Sequence, residues 1–324
     1  MLVSVIISNY NYARYLSAAI ESVLAQSYTN FEIIVVDDGS QDNSRDVINQ
    51  YEQRSPHQVK GIFQENQGQG AAFNTGFAAA KGEIIAFLDA DDVWKPNKLQ
   101  RIVEAFQDSN TVGVMHQLES IDAQDKLLDT NYTRGRVPNI ELAKLILDTG
   151  NAWFYPPTSA LAYRRSALAK VMPIDTKTWR LWADGCLVYC TAFLGKIQYL
   201  KEVLGSYRLH GKNYHASQQN PVLTSEEQAS WQAAMETTNQ GVNAFLERIN
   251  YPARVDLMRN LDYRRSLYYW RGKWNTQEML AISGIIMRYP FYTPTERVYF
   301  LFRFLLKSMG FLMRPQSHLE NLSA

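Results

Sequence analysis

The sequence predicts an α/β fold: a Rossmann-like, mostly parallel central sheet flanked by helices, with a helical C-terminal extension. Three observations predict it. Apolar runs of five to seven residues alternate with amphipathic segments through the first half of the chain, the pattern of strands joined by crossover helices. The runs are continuously apolar, as strands covered on both faces must be. Past about Pro221 strand signals thin out and long helical patterns rich in aromatics take over.

Taken in order, Leu2–Ser8 reads as a strand and Tyr15–Gln26 as a helix with Leu16, Ile20, Val23 and Leu24 on one face. Phe31–Asp37 is a second strand, Ser44–Gln53 a helix and Val59–Phe63 a short strand. Ala71–Ala80 is an Ala-rich helix closed by Lys81-Gly82, a helix-ending signal. Glu83–Leu88 is another buried strand, and Lys95–Gln107 a helix with Pro96 in its first turn, where proline is tolerated. The alternation then loosens. Val112–Leu118 and Ala160–Tyr163 read as strands, Asp122–Asp125 as a turn, Ile140–Leu147 and Trp182–Phe193 as helices, and Ile197–Tyr207 as a strand or hairpin. The expected division is 1–220, with halves 1–110 and 111–220, followed by a helical region 221–324.

With 324 residues, 46% of them hydrophobic, and a net charge of +1, the chain can bury a large core. It lacks the general basic surface that would drive nucleic-acid binding. Two cysteines, Cys186 and Cys190, exclude a disulfide scaffold, and buried thiols are expected. No basic segment precedes the apolar opening run and no stretch has the roughly 20 apolar residues of a spanning helix. A cytoplasmic protein is expected.

Three polar clusters follow predicted strands: Ser8-Asn9-Tyr10-Asn11, Asp37-Asp38-Gly39-Ser40 and Asp89-Ala90-Asp91-Asp92. Open α/β sheets bind ligands at the carboxyl ends of their strands, so the three can line one crevice. Carboxylates as close as Asp89, Asp91 and Asp92 repel unless a cation or water separates them. Their hard oxygens suit Mg²⁺ or Mn²⁺ bridging to a diphosphate. An isolated acidic tripeptide would read instead as a solvated helix-capping turn, and Asp37–Ser40 as a capping loop; the preceding strands and the companion clusters favour a site. Tyr10 offers a flat face for a base, or is an ordinary sheet-edge aromatic.

Together these residues resemble the family 2 glycosyltransferases, whose fold is the GT-A nucleotide-sugar fold. The resemblance rests on Val3–Asn11, Ser22–Ser27, Glu32–Ser40, Asn66–Gly68 with Ala72–Gly76, and Phe87–Asp92, in the family's order and spacing. It covers about the first 215 residues, strongly at the start and loosely later. It implies inverting transfer of a single sugar from a nucleotide sugar, a UDP-sugar, to a glycan or lipid-linked acceptor in polysaccharide biosynthesis. By resemblance, Ser8, Tyr10, Asp38 and Asp89 belong to the nucleotide site, with Tyr10 and Asp38 at the base and Asp89 near the ribose and phosphates. Asp91 would ligate a divalent cation, Mn²⁺ or Mg²⁺.

The family's Glu-Asp pair at a helix start, whose Asp is the general base, corresponds to Ala183-Asp184 here. Asp184 is the candidate base, although Ala183 departs from the pattern. The alternative is that Asp184 only favours the helix N-terminus. Arg208, His210 and Asn213 match an element that closes over the diphosphate, with a surface strand as the alternative. Trp179 and Trp182 are acceptor-stacking or core residues. The processive synthases' Gln-x-x-Arg-Trp motif is missing. Two other readings are a nucleotidyltransferase, whose Gly-rich basic loop Ser8–Arg14 lacks, and a non-catalytic sugar-nucleotide-binding subunit, against which Asp89, Asp91 and Asp184 stand.

Tyr251–Trp274 holds six basic and two acidic residues, a local charge of +4, and the apolar helix Glu296–Arg314 carries Arg303, Lys307 and Arg314 within about 40°. Such a helix suits the inner face of the plasma membrane as a peripheral contact. It equally suits packing on the catalytic domain or on a second copy in a homodimer.

Overall fold

The computed structural model describes residues 1–130, 141–150, 155–179, 182–211, 224–272 and 274–312. Ile140, Asn213, Pro221 and Arg314 lie outside them. The first half contains β1 (Val3–Asn9), α1 (Ala13–Leu24), β2 (Phe31–Asp37), α2 (Ser44–Arg54), β3 (Val59–Phe63), α3 (Gln69–Ala79), β4 (Ile84–Asp89), β5 (Val93–Trp94) and α4 (Lys98–Ala105). There follow β6 (Thr111–Asp122), β7 (Leu127–Asp129), α5 (Leu142–Thr149), a 3-10 turn at Thr158–Ala160, β8 (Leu161–Arg164), α6 (Arg165–Leu168), α7 (Ala183–Ala192) and β9 (Lys196–Leu209). Helices α8 (Ser225–Arg248), α9 (Leu261–Arg271), α10 (Thr276–Arg288) and α11 (Pro294–Leu312) complete the described chain. The expected helix at Lys95–Gln107 starts later, at Lys98, because Val93 and Trp94 are drawn into a strand.

The strands form one sheet in the order β3-β2-β1-β4-β8-β6-β9-β5, with β7 on β6. Parallel pairing runs through β3, β2, β1 and β4, and joins β6 to β9. The second half is mixed: β8 enters antiparallel between β4 and β6, and β5 pairs antiparallel with β9. Only the first half has the regular strand–helix–strand pattern, and parallel neighbours need such crossovers.

Alternation along each strand sends side chains to opposite faces. Val3, Val5 and Ile7 of β1 join Ile33, Val35, Ile84, Ala86 and Leu88 under α1, α2 and α4. Ile6 joins Ile34, Val36, Ile85 and Phe87 under α3 and α7. The continuously apolar strands are therefore two half-patterns interleaved. Cys186 and Cys190 are buried and unoxidised in the second of these cores. Helix α8 adds Val242, Phe245 and Leu246 to the same core, whereas Leu261, Tyr268, Ile282, Ile286 and Phe304 give α9, α10 and α11 a core of their own.

The connection from β4 to β5 constrains the sheet. β4 lies mid-sheet and β5 at the far edge, four pairings away, yet only Ala90, Asp91 and Asp92 separate them. Four strand spacings on a flat sheet span about 19 Å. The chain from Asp89 to Val93 reaches at most about 14 Å. The second half of the sheet must curl back to meet its own centre.

Helix α3 approaches β1 closely because Gly76 has no side chain: a Cβ there would stand 2.5 Å from Ile6 Cγ2. Alanine is worth about 1 kcal/mol over glycine within a helix, but overpacking costs about 1–3 kcal/mol, and Ile6 is fully buried and cannot retreat. Gly76→Ala should lose up to roughly 2 kcal/mol in a urea titration; a gain in stability would mean that the helix moves off the strand.

Candidate active site

Strand register brings the three polar clusters together: Ser8 lies opposite Asp89, and Asn9 opposite Asp37. The loops after β1 and β2 are stitched to each other. Asn9 Nδ2 donates to Asp37 Oδ1 at 2.6 Å and to Ser40 Oγ at 3.1 Å. The backbone N–H of Asn11, a residue at φ 60°, donates to Ser40 Oγ, and that of Gln41 to Asn11 Oδ1. Tyr10 stands exposed at the tip of this double loop. Asp38 is buried and accepts from Gln64 Nε2 at 2.7 Å, Gln67 N at 3.0 Å and Gly68 N at 2.7 Å. It thereby fixes the loop that leads into α3. A carboxylate offers about four acceptor positions, so one, on Oδ2, remains.

The acidic turn after β4 is held from several sides. Asp89 accepts from Gln69 Nε2 at 2.8 Å and from Ser8 Oγ at 3.3 Å. Burial, then the charges of Asp91 and Asp184, push its carboxyl up to about 8. Asp91 Oδ2 lies 2.9 Å from His210 Nε2, and the His210 ring is stacked on Tyr15 at 5.1 Å and meets Tyr12 edge-on at 5.5 Å. Burial, followed by the neighbouring carboxylates, raises the Tyr12 hydroxyl and keeps it neutral. Asp92 is fully buried, accepts from Arg208 N at 2.8 Å and from Ser159 Oγ, and is held well above the carboxylate range by burial and by Asp91.

Ser159 is the hub beneath this turn. Its hydroxyl accepts the Asp89 N–H at 3.0 Å while donating to Asp92. Its carbonyl accepts Trp94 Nε1 and the buried Lys98 Nζ, and burial pulls the Lys98 amine well down. Arg208 is 1% exposed, and its guanidinium reaches the carbonyls of Asp91 and Asp122, the carboxylate of Asp125 and the face of Tyr15. It is engaged inside the protein in shaping the turn.

Asp184 lies in the first turn of α7 and accepts its own helix's Gly185 N–H at 2.9 Å. Burial pushes it up to about 6, and its charge acts on Asp89, Tyr155, Tyr163 and Tyr189. Asn74 of α3 sets the approach to α7 by donating to the Ile174 carbonyl at 2.9 Å and accepting the Ile174 N–H at 2.7 Å. Trp182 is half-buried at the N-cap of α7. Trp179 is buried in the core against Gly241, so the stacking alternative falls away for it. Asp175 caps its own turn through Lys177 N and Thr178 Oγ1.

The strand ends thus gather Ser8, Asp89, Asp91 and His210, with Asp184 within electrostatic reach of Asp89 and Tyr10 at the rim. Sequence reasoning missed Gln69, Ser159, Tyr12, Tyr15 and Lys98. Only Lys98 left a signal, standing on the apolar face of its helix with Ile102 and Ala105. Among the described residues no three His, Cys, Asp or Glu side chains form a protein-only metal cage. The Asp91 carboxylate is a hard donor of the kind that binds Mn²⁺ or Mg²⁺ when phosphate oxygens supply further ligands, and the His210 imidazole beside it is a softer donor that favours Mn²⁺ over Mg²⁺, so the residues fit a divalent cation.

Ser159→Ala would leave the Asp89 N–H and the Asp92 carboxylate each short of a partner. A loss of about 1–3 kcal/mol is expected by urea titration, with Ser159→Thr milder. Equal stability of Ser159→Ala and the parent would remove Ser159 from this role.

The model of the family described as glycosyl transferase family 2 matches residues 4–172. An uncharacterized glycosyltransferase of Nostoc sp. is 60% identical over 321 residues, 99% of either chain. Among solved structures, S. aureus TarS 1-349 in complex with UDP-GlcNAc aligns with a TM-score of 0.54 at 17% identity, over 96% of this chain and 92% of that one. The mannosyltransferase PcManGT from Pyrobaculum calidifontis, in complex with GDP-Man and Mn²⁺, aligns at 0.50 and 17% identity, over 95% and 86%. At such identities the two structures speak for the fold alone.

Proposed function

The chain belongs to glycosyltransferase family 2 and has the GT-A fold, and from that premise we propose a metal-dependent, inverting enzyme that moves one sugar from a UDP-sugar to a glycan or lipid-linked acceptor. The observation that carries the proposal is the meeting of Asp89, Asp91 and His210 at the end of β4, with a further carboxylate, Asp184, acting on Asp89. In this reading 1–110 binds the nucleotide, 111–220 binds the acceptor, and 221–324 is a helical accessory region.

Tyr10 stacks on the base, and the remaining position on Asp38 Oδ2 takes a base N–H. Ser8 and Asp89 face the ribose and phosphates. Asp91 and His210 hold the divalent cation, which, when bound, supplies Lewis-acid neutralisation of charge on the departing diphosphate. Asp184 takes the proton of the acceptor hydroxyl; the freed oxygen bonds to the anomeric carbon as that carbon's bond to phosphate oxygen breaks on the opposite side. The nucleoside diphosphate leaves and the configuration inverts. Trp182 flanks the acceptor. Arg208 acts on the diphosphate through the turn that it shapes.

A base must be unprotonated, so the transfer rate should rise with pH through about 6 and level off above. The sign for stability is opposite. A carboxyl raised by burial carries no penalty when protonated in both folded and unfolded states, and a growing one as pH climbs past the unfolded value near 4 toward 6. Asp184→Asn should therefore cut transfer by about 10²–10⁴-fold while raising the melting temperature at pH 8 and leaving UDP affinity alone. Near-normal transfer by this variant would reject Asp184 as the base.

For the metal set, Asp91→Asn and His210→Gln should each weaken Mn²⁺-dependent UDP binding in calorimetry, because each removes a donor. Full donor hydrolysis in the presence of EDTA would refute metal dependence.

A further inference from the structure

We propose that the exposed face of α11 rests on the surface of an anionic lipid bilayer. The proposal goes beyond the sugar-transfer reading and does not depend on it. One side of α11 is already satisfied: Phe304 and Ser308 are buried, and Phe300, Leu301 and Leu305 pack into the core shared with α9 and α10. The other side carries Val298, Tyr299, Phe302, Leu306 and Met309, between 46% and 62% exposed. At 3.6 residues per turn these five fall within an arc of about 100°. The water-facing side of a surface helix is ordinarily polar. Here it is the more continuous apolar strip.

Beyond the first turn, the charges bordering the strip are of one sign. Arg303 and Lys307 occupy the next 80° or so of the helix. The Arg303 guanidinium lies 5.7 Å over Tyr299, and Lys307 Nζ 4.0 Å over Tyr269 of α9. Among the described residues neither is paired with a carboxylate. From Arg297 to Leu312 the helix has no Asp or Glu, and Glu296 uses its carboxylate to cap Thr293. An apolar arc bordered by unanswered cations matches the boundary between acyl chains and anionic headgroups. A second copy docking through this helix would bring only Glu296, a carboxylate already engaged in capping Thr293, to meet that border. No described helix is long and apolar enough to cross a membrane, so α11 would lie on the bilayer.

The test is co-sedimentation of the full chain with phosphatidylcholine vesicles, with or without about 30 mol% phosphatidylglycerol. The wild type should bind the anionic vesicles at least tenfold more tightly than neutral ones. The double variant Phe302→Ser/Leu306→Ser, altered only at exposed positions, should lose binding while keeping its melting temperature and its donor hydrolysis. Arg303→Gln/Lys307→Gln should bind anionic vesicles roughly 30-fold more weakly. The proposal is overturned if the wild type ignores anionic vesicles, if neither variant changes binding, or if light scattering finds a dimer that Phe302→Ser/Leu306→Ser dissociates.

Discussion

Three carboxylates in four residues, Asp89, Asp91 and Asp92, are taken largely out of water at the end of one parallel strand. Desolvation and mutual repulsion both oppose this, and much of the surrounding architecture answers it. Asp92 has the Ser159 hydroxyl and the Arg208 backbone N–H around it. Asp89 has two side-chain donors from other elements. Asp91 faces an imidazole clamped between two tyrosines. The arrangement leaves the cluster short of positive charge at the crevice, where a cation or a proton is welcome.

How far this was legible in the sequence follows from which contacts are local. The strands β1, β2 and β4 were readable because burial on both faces leaves an uninterrupted apolar run, and the three polar clusters were readable because they end those runs. Their convergence followed from parallel order. The two-residue strand β5 was not readable: its pairing with Gly205 and Ser206 joins residues more than a hundred positions apart. Nor could sequence separate the antiparallel insertion of β8 from another crossover unit.

At side-chain level the same divide holds. Arg208 contacts Asp91, Asp122, Asp125 and Tyr15, partners too far from it in sequence for its own neighbours to announce them. Ala183 departs from the family pattern, and it is buried at 1% exposure, with the α3 backbone beside it at Gly70. An acidic residue there would place another charge in an apolar seam. Ser159 lies in a short turn whose sequence has no feature distinguishing it from an ordinary loop.

The short path from β4 to β5 ties chemistry to topology. Because one strand is central and the other closes the far edge, Ala90-Asp91-Asp92 works as a drawstring whose length sets how tightly the sheet is gathered. One extra residue would slacken the curl as well as shift a ligand, and one fewer could not span the gap without closing it further. The length of the acidic turn is thus gauged by the sheet it ties, and natural variation there should take the form of exchanged side chains rather than inserted or deleted ones.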